Sequence, residues 1–551
     1  MRAQNGHDIH FRYKLAKCLT FVSLIAVITM ALSSFLYPGR LRWTAADDDE
    51  DNSYPQADTA ASSSRDCSFK LDTLIPQSPD GSYTPPPPDE TLLRAVELAS
   101  NKDYQNYCQS WDEVNGFADN NDNNELDDDG CGVWQQKYLA LHEQRLEQLQ
   151  RLKAGDFESF GHESKPEYVS YLCESDPQNR GSHGCGGLAD RMNGMVSTFF
   201  YGLLTDRAYL AHWEDPLPLE TLFEKPSIDW SFDPKEMREL FDKKEDADNN
   251  DYLSYKKVNT LNQKWGPIGR TMFPHGATQD FKDLWNASYV EWHGNRAFVI
   301  RTFRESSIYP EKLNQLGLTK ENSFRCIMDY LFRPTIGARQ FINAYKNMFE
   351  MDSILSIGLQ IRTGDSGIVN PGDDLNTLQM WDYFMICANQ LREAKREPHH
   401  KQVVYFLITD SVRLRDEFVS LNHDKTKAQQ FLGDNHQDVT MVVTGLPIEH
   451  VESKTIKPKF LHNITKADLT EDEQNTLAGV NAAVIENWLL SFTDYRLISR
   501  QGFGKLSAFH SKSSHTTIGM PKLSRKQVAV NCANPHAFIT FDTLSTWWSL
   551  G

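Results

Sequence analysis

The chain has 551 residues, with 57 Lys and Arg against 75 Asp and Glu and a net charge of −18. That is length enough for two domains with cores of their own. The acidic balance excludes nucleic acid as the main partner, since a phosphate backbone calls for clustered cations.

The first element predicted is apolar. Residues 18–37, CLTFVSLIAVITMALSSFLY, carry no charge and are long enough to cross a bilayer as a helix. Arg2, Arg12, Lys14 and Lys17 precede this stretch, Arg40 and Arg42 follow, and then an acidic run begins at 47–51. The bias keeps residues 1–17 cytosolic and sends the rest to the lumen or outside. A cleaved signal peptide, with Ser33 and Ser34 near the cut, is the rival reading of the same stretch. Residues 38–90, rich in Ser, Pro, Asp and Ala and ending in TPPPPDE, hold too few large apolar groups for a core and are expected to be a disordered stem.

From there the pattern is that of a folded protein. TLLRAVELA from Thr91 and the stretch from Trp134 to Leu152 are predicted helices, separated by the acidic run 119–129, a solvated linker. EYVSYLCES (167–175) is a predicted strand. A glycine-rich loop follows, then a helix from about Arg191 to Leu204 and a second strand, RAYLAHW. Ala297 to Ile300 is a further strand candidate. SIGLQI, before Arg362, alternates apolar and polar residues as a half-buried strand does. A helix from about Leu378 to Arg396 comes next, then VVYFLITD (403–410), an apolar run typical of a parallel strand covered on both faces. VTMVV, a helix from Thr476 to Phe492, and YRLIS complete the alternation. Strands alternating with helices in both halves predict two Rossmann-like domains facing across a cleft, 91–350 and 351–551, with ligands at the carboxyl ends of the strands.

Three stretches bring chemistry to those ends. GCGGLADRMNG (184–194) places Gly186 and Gly187 before a helix start, where a backbone approaches an anion closely. RTGD (362–365) delivers Arg362 and Asp365 after a strand, and a guanidinium holds a diphosphate through two parallel hydrogen bonds. YRLISRQGFGKLSAF carries Ser499 at a strand end, then Gly502, Phe503 and Gly504 entering a helix. No GxGxxG and no GxxxxGK[ST] is present, so nicotinamide and P-loop readings lack their signatures. DADNNDYLSYKK (246–257) imitates a calcium loop but has Asp251 where the turn needs glycine and Lys257 where the loop needs a bidentate glutamate. No metal site is expected. Beyond the apolar stretch eight cysteines remain, an even number suited to an oxidising compartment, and Asn286 and Asn463 head glycosylation triplets.

The ordered set GCGGLADRMNGM, GLQIRTGD, VVYFLITDS and ENWLLSFTDYRLISRQGFGKLSAF resembles the GDP-fucose-dependent fucosyltransferases, the superfamily of the α1,2-, α1,6- and protein O-fucosyltransferases. The resemblance spans about Cys173 to Phe509. It implies a GT-B fold and a GDP-fucose donor held mainly by the C-terminal half. It also implies a glycan or polysaccharide acceptor on the N-terminal half, and inverting transfer without an obligatory metal. It makes Arg362 the arginine on the donor β-phosphate and Asp365 an acid of the same motif. Asp410 becomes the acid ending the second donor-side strand, Glu486 the reader of guanine, and Ser499, Gly502, Phe503 and Gly504 the last donor motif. Gly186, Gly187 and Arg191 are taken as further donor contacts.

The chain departs from the α1,6 pattern in having Thr363 and Ser366 beside Arg362, Gln501 and Gly502 in place of twin serines, and Asn370 where that group carries its base. Asp365, then Asp190, are the carboxylates that stand in for that base. The expectation is a single-pass type II Golgi membrane enzyme. A transferase of another GDP-sugar such as GDP-mannose, or a non-catalytic carbohydrate-binding ectodomain on the same fold, are the alternatives.

Overall fold

In the first half the chain forms β1 (Tyr168–Cys173), β2 (Ala208–Trp213), a short β3 (Phe223–Glu224), β4 (Tyr255–Asn259) and β5 (Tyr289–His293); β3 pairs antiparallel with β6 (Arg333–Pro334). Strands β1, β2, β4 and β5 make a parallel sheet in the order β2-β1-β5-β4. In the second half β7 (Ile354–Ile361), β8 (Gln402–Thr409), β9 (Val439–Val442), β10 (Tyr495–Ser499) and β11 (Thr517–Met520) make a second parallel sheet in the order β11-β10-β7-β8-β9. Parallel neighbours require long crossovers, and the intervening helices supply them. Leu188–Thr205 joins β1 to β2, Asp382–Lys395 joins β7 to β8, Glu471–Phe492 joins β9 to β10, and Gly502–His510 joins β10 to β11.

In each sheet the chain builds outward on one side and then crosses to the other. The switch points fall between β1 and β5 and between β7 and β10, where such sheets open a crevice at the carboxyl ends.

This computed structural model describes residues 82–115, 130–156, 160, 165–174, 185–214, 216–242, 253–261, 263–364, 366–448, 469–526 and 530–549. The apolar stretch 18–37, the stem up to residue 81, the acidic run 119–129, most of the calcium-like loop and the triplet at Asn463 lie outside them. All described residues belong to one compact unit running from Cys67 to Gly551. Among them no helix is long and apolar enough to cross a membrane.

Two expectations change. The alternation in β7 is not that of a half-buried strand, because all eight of its residues are buried. Its small and polar positions fit close packing instead. A Cβ on Gly358 would collide with Leu490 of the Glu471–Phe492 helix, and the Ser356 hydroxyl donates to Asp494 at 2.8 Å. Ala297 to Ile300 is not a strand: Val299 opens a helix, Val299–Glu305, and the strand is β5, just before it. A run of four apolar residues suits a buried helix start as well as a strand. β5 (YVEWH) was hidden by Glu291 at its centre, fully buried and paired with Arg238 at 2.5 Å and His293 at 2.7 Å.

The ends of the described body cross between the halves. The helix Glu90–Leu98 packs on β9, where Thr91 Oγ1 accepts from the Val443 amide at 3.2 Å, and Gln402 of β8 donates to the Ala95 carbonyl. The last helix, Phe541–Ser549, packs on Val299–Glu305 in the first half, and Lys320 pairs with Asp542 at 2.7 Å. One hydrophobic core runs through both halves, from Leu92 and Phe199 to Phe406 and Leu490. The Glu471–Phe492 helix at its centre starts with a capping box, in which Thr470 and Glu473 satisfy each other's backbone amides.

Candidate active site

A cavity of about 300 Å³ opens where the carboxyl ends of the two sheets meet. The first sheet contributes the turn after β1. Cys173, the last residue of β1, is disulfide-bonded to Cys185, which ties the strand end to the glycine loop. Gly186 has φ +82°, and a Cβ there would press on the Asp190 side chain at 2.7 Å, so only glycine makes this turn. Gly187 is the N-cap of the Leu188–Thr205 helix, and a Cβ on it would meet nothing within 4 Å. Gly187 through Asp190 line the cavity. Asp190 Oδ1 accepts from Arg296 at 2.7 Å.

The second sheet contributes the ends of β7, β8 and β10. Arg362 follows β7 and lines the cavity. Its guanidinium donates to the Asp410 carboxylate, which also accepts from the Thr363 amide at 2.6 Å, the Thr363 hydroxyl at 3.0 Å and the Gly364 amide at 2.9 Å. Gly364 sits at φ +130°, a conformation that side chains resist. One carboxylate thus fixes both the arginine head and the backbone turn that carries it. The Arg362 amide donates to the Ser499 hydroxyl at 3.0 Å, tying the ends of β7 and β10 together.

The floor is the Glu471–Phe492 helix, which presents Gly479, Ala483 and Glu486 on one face. Two small residues leave room, and the carboxyl of Glu486 stands beyond them. Burial pushes this carboxyl up to about 7, against the pull of the Thr444 hydroxyl, which donates to it at 2.5 Å, and of Arg415. Gln501 to Phe503 close the opposite side at the start of the Gly502–His510 helix. That start has no side-chain cap and its first residues line the cavity, so its amides are open to an anion there. The Phe503 carbonyl accepts from Asn487 Nδ2 at 2.8 Å, fixing the helix start beside Glu486. One turn on, Lys505 is buried and its amine is pushed down to about 8, with Asp190 pulling the other way.

No protein-family model and no curated protein matches the chain in sequence. Comparison with solved structures does find neighbours. Among the solved structures it resembles are fucosyltransferases. A mutant of Arabidopsis thaliana FUT1 in complex with GDP is 17% identical, over 70% of this chain and 78% of that one, with a TM-score of 0.45. The NodZ alpha-1,6-fucosyltransferase soaked with GDP-fucose is 15% identical, over 63% and 93%, with a TM-score of 0.34. Fucosyltransferase NodZ from Bradyrhizobium is 16% identical, over 62% and 92%, at 0.32. Overlaps of this size decide nothing about the site, which rests on its own residues.

Of the residues singled out in the sequence, Gly187, Asp190, Arg362, Asp410, Glu486, Gly502 and Phe503 share the cavity. Four do not reach it. Arg191 is buried behind the turn, donating to the Gly186 carbonyl at 2.7 Å and lying over the Trp213 ring, so it supports the loop rather than a ligand. Gly186 shapes the turn from the same side. Ser499 is buried, its hydroxyl engaged with the Arg362 amide and the Gln360 carbonyl. Gly504 is required by packing: a Cβ would sit 2.7 Å from both Ile498 Cβ and Gln360 Oε1. Asp365 and Gly184 lie outside the described residues. Asp374 accepts from Ser411 and the Arg413 amide at the start of the Val412–Ser420 helix.

Sequence reasoning missed Gln360, Gly479 and Ala483. For the last two a signal was present, in that Gly479, Ala483 and Glu486 recur at helical spacing. Among the described residues no three His, Cys, Asp or Glu side chains gather as a metal would need.

Proposed function

We propose that this chain is an inverting glycosyltransferase of GT-B architecture that moves fucose from GDP-fucose to a hydroxyl of a glycan or polysaccharide. The observation that carries the reading is the convergence on one cavity of an arginine fixed by a carboxylate and an uncapped helix start. Both are groups that bind a diphosphate and stabilise it as it leaves. Glu486 adds a nucleobase contact. As a carboxylate it accepts from both N1–H and the 2-amino group of guanine, a donor pair that adenine lacks.

In the proposed reaction the acceptor oxygen attacks C1 of the sugar from the side opposite the diphosphate. The C1–O bond breaks, GDP leaves against Arg362 and the amides of Gly502 and Phe503, and the hydroxyl proton passes to a carboxylate. We assign that proton to Asp365, next in the chain to Gly364. Asp190, on the wall built by the first sheet, orients the acceptor. Charge neutralisation by Arg362 and the helix start leaves the step without an obligatory metal.

The chain is further proposed to be a single-pass type II protein of the Golgi, anchored through residues 18–37 with its folded part luminal. What supports this is that all seven cysteines among the described residues are disulfide-bonded, as an oxidising compartment allows, and that Asn286 is exposed.

The test is transfer itself. The full chain is incubated with GDP-fucose and a panel of glycans, and released GDP and the anomeric configuration of the product are read by NMR. A fucosylated product whose anomeric configuration is opposite to that of the donor supports the reading. Transfer from GDP-mannose but not GDP-fucose, or release of GDP from neither, contradicts it.

A further inference from the structure

The first sheet has a second opening at the other end of its strands. Lys165 and Glu167 precede β1, Thr205 to Arg207 precede β2, and all of them border a cavity of about 630 Å³. Its position at the amino ends of β1 and β2 puts a strand of six residues, about 20 Å at 3.3 Å per residue, between it and the glycine turn at Gly187.

In a chain of net charge −18 this cavity is basic. Among the described residues its wall holds Lys137, Arg145, Lys165, Arg207, Lys282 and Lys312 against Glu167 and Asp206, six cations to two carboxylates. Both carboxylates are already engaged, Asp206 with Lys282 at 2.5 Å and Glu167 with Arg207 at 2.9 Å. Arg207 is 2% exposed, and its other guanidinium bonds go to the carbonyls of Ala287 and Trp285, yet its Nε has no acceptor among the described residues. Arg145 donates to Gln148 at 2.8 Å and Lys312 to the Leu204 carbonyl at 3.0 Å, neutral partners both, and burial pushes both cations below their ordinary pKa. Between the charges the wall is apolar, from Tyr138, Leu141, Leu203 and Leu316.

Crowded, poorly solvated cations of one sign raise the energy of a protein unless an anion relieves them. The apolar strips call for a ligand that has flat C–H faces as well as anionic groups. We infer that this cavity is a second binding site, distinct from the donor site, for an acidic saccharide bearing sulfate or carboxylate groups. The inference does not rest on the donor chemistry, so either stands if the other fails.

The probe is a sulfated heparin-type tetrasaccharide titrated into the full chain by calorimetry at low and high salt, beside an uncharged tetrasaccharide of equal length and inorganic sulfate. The variant is Lys137→Glu with Lys165→Glu, two lysines that form no ion pair among the described residues. The sulfated sugar is expected to bind the parent, to weaken as salt rises, and to lose at least about tenfold in the variant, whose thermal midpoint stays within a few degrees of the parent. Lys137→Glu alone, at an exposed position, repeats the comparison if the double variant fails to fold. No binding to the folded parent, equal affinity in the variant, equal binding of the uncharged sugar, or displacement by inorganic sulfate at the same concentration would each overturn the inference.

Discussion

Asp410 holds Arg362 in place twice, through its guanidinium and through the amides of Thr363 and Gly364 that follow it. An arginine needed only for surface charge would not be fixed at both head and root. The arrangement aims a cation at a point in the cavity before any ligand arrives, which is how a protein avoids reorganising as charge develops.

Replacing Asp410 therefore acts through Arg362. Asp410→Asn retains one oxygen for the turn amides but removes the charge opposite the guanidinium. The expected result is a kcat lower by about a hundredfold, with a smaller rise in KM, since the lost interaction matters most as the diphosphate leaves. Steady-state transfer kinetics check it. A change confined to KM would mean that Asp410 serves ground-state binding alone.

With the guanine contact proposed for Glu486, donor binding is expected to depend on pH. Its carboxyl is raised to about 7 by burial, so in the free protein it is mostly protonated below that value. Reading guanine requires the carboxylate, so GDP affinity should rise as pH climbs from about 5.5 to 8 and level off above the raised pKa. The terminal phosphate of GDP titrates in the same range, and the comparison with Glu486→Gln separates the two. The variant should bind GDP more weakly at pH 8 and keep only the phosphate's share of the pH dependence.

Two glycines of the site should respond in opposite ways. At Gly504 an added methyl meets Ile498 and Gln360, and Gly504→Ala is expected to cost about 1–3 kcal/mol of stability. At Gly187 an added methyl meets nothing, and Gly187→Ala should leave the melting temperature unchanged while weakening GDP or acceptor binding by narrowing the cavity. Thermal melts and titrations of the two variants, side by side, check the contrast.

Glu291 makes a different pH prediction, on stability. Burial opposes its charge, but His293 and Arg238 outweigh burial and hold the carboxyl down to about 2, below the unfolded value of 4.5. A depressed acid stabilises the fold above its unfolded pKa and loses that contribution as pH falls toward the folded one. Stability should therefore fall between about pH 4.5 and pH 2, and Glu291→Gln, less stable at pH 7, should show a shallower fall across that window. Denaturant midpoints at several pH values measure it.

The alternation of strands and helices was legible because parallel strands covered on both faces appear as apolar runs, and β8 does so plainly. β5 was not, since a buried glutamate at its centre is neutralised only by partners far away in the chain. The site divides along the same line. Arg362, Asp410 and the turn at Gly502 follow strand ends and could be found from strand position. Ser499 ends a strand and Arg191 lies in the first turn of a helix, yet both are buried away from the cavity, because tertiary packing sets which way such a side chain points. The floor of the cavity comes from a helix in which Gly479 and Ala483 look like ordinary small residues until the fold brings them opposite Arg362.

The central claim is that the cavity holds a guanine nucleoside diphosphate against Arg362. Calorimetric titration of the full chain with GDP, GDP-fucose and ADP, repeated on Arg362→Ala, tests it most directly. Binding of GDP and GDP-fucose, none of ADP, and loss of both in the variant are expected. A folded parent that binds no GDP, or a variant that binds GDP as tightly as the parent, would contradict it.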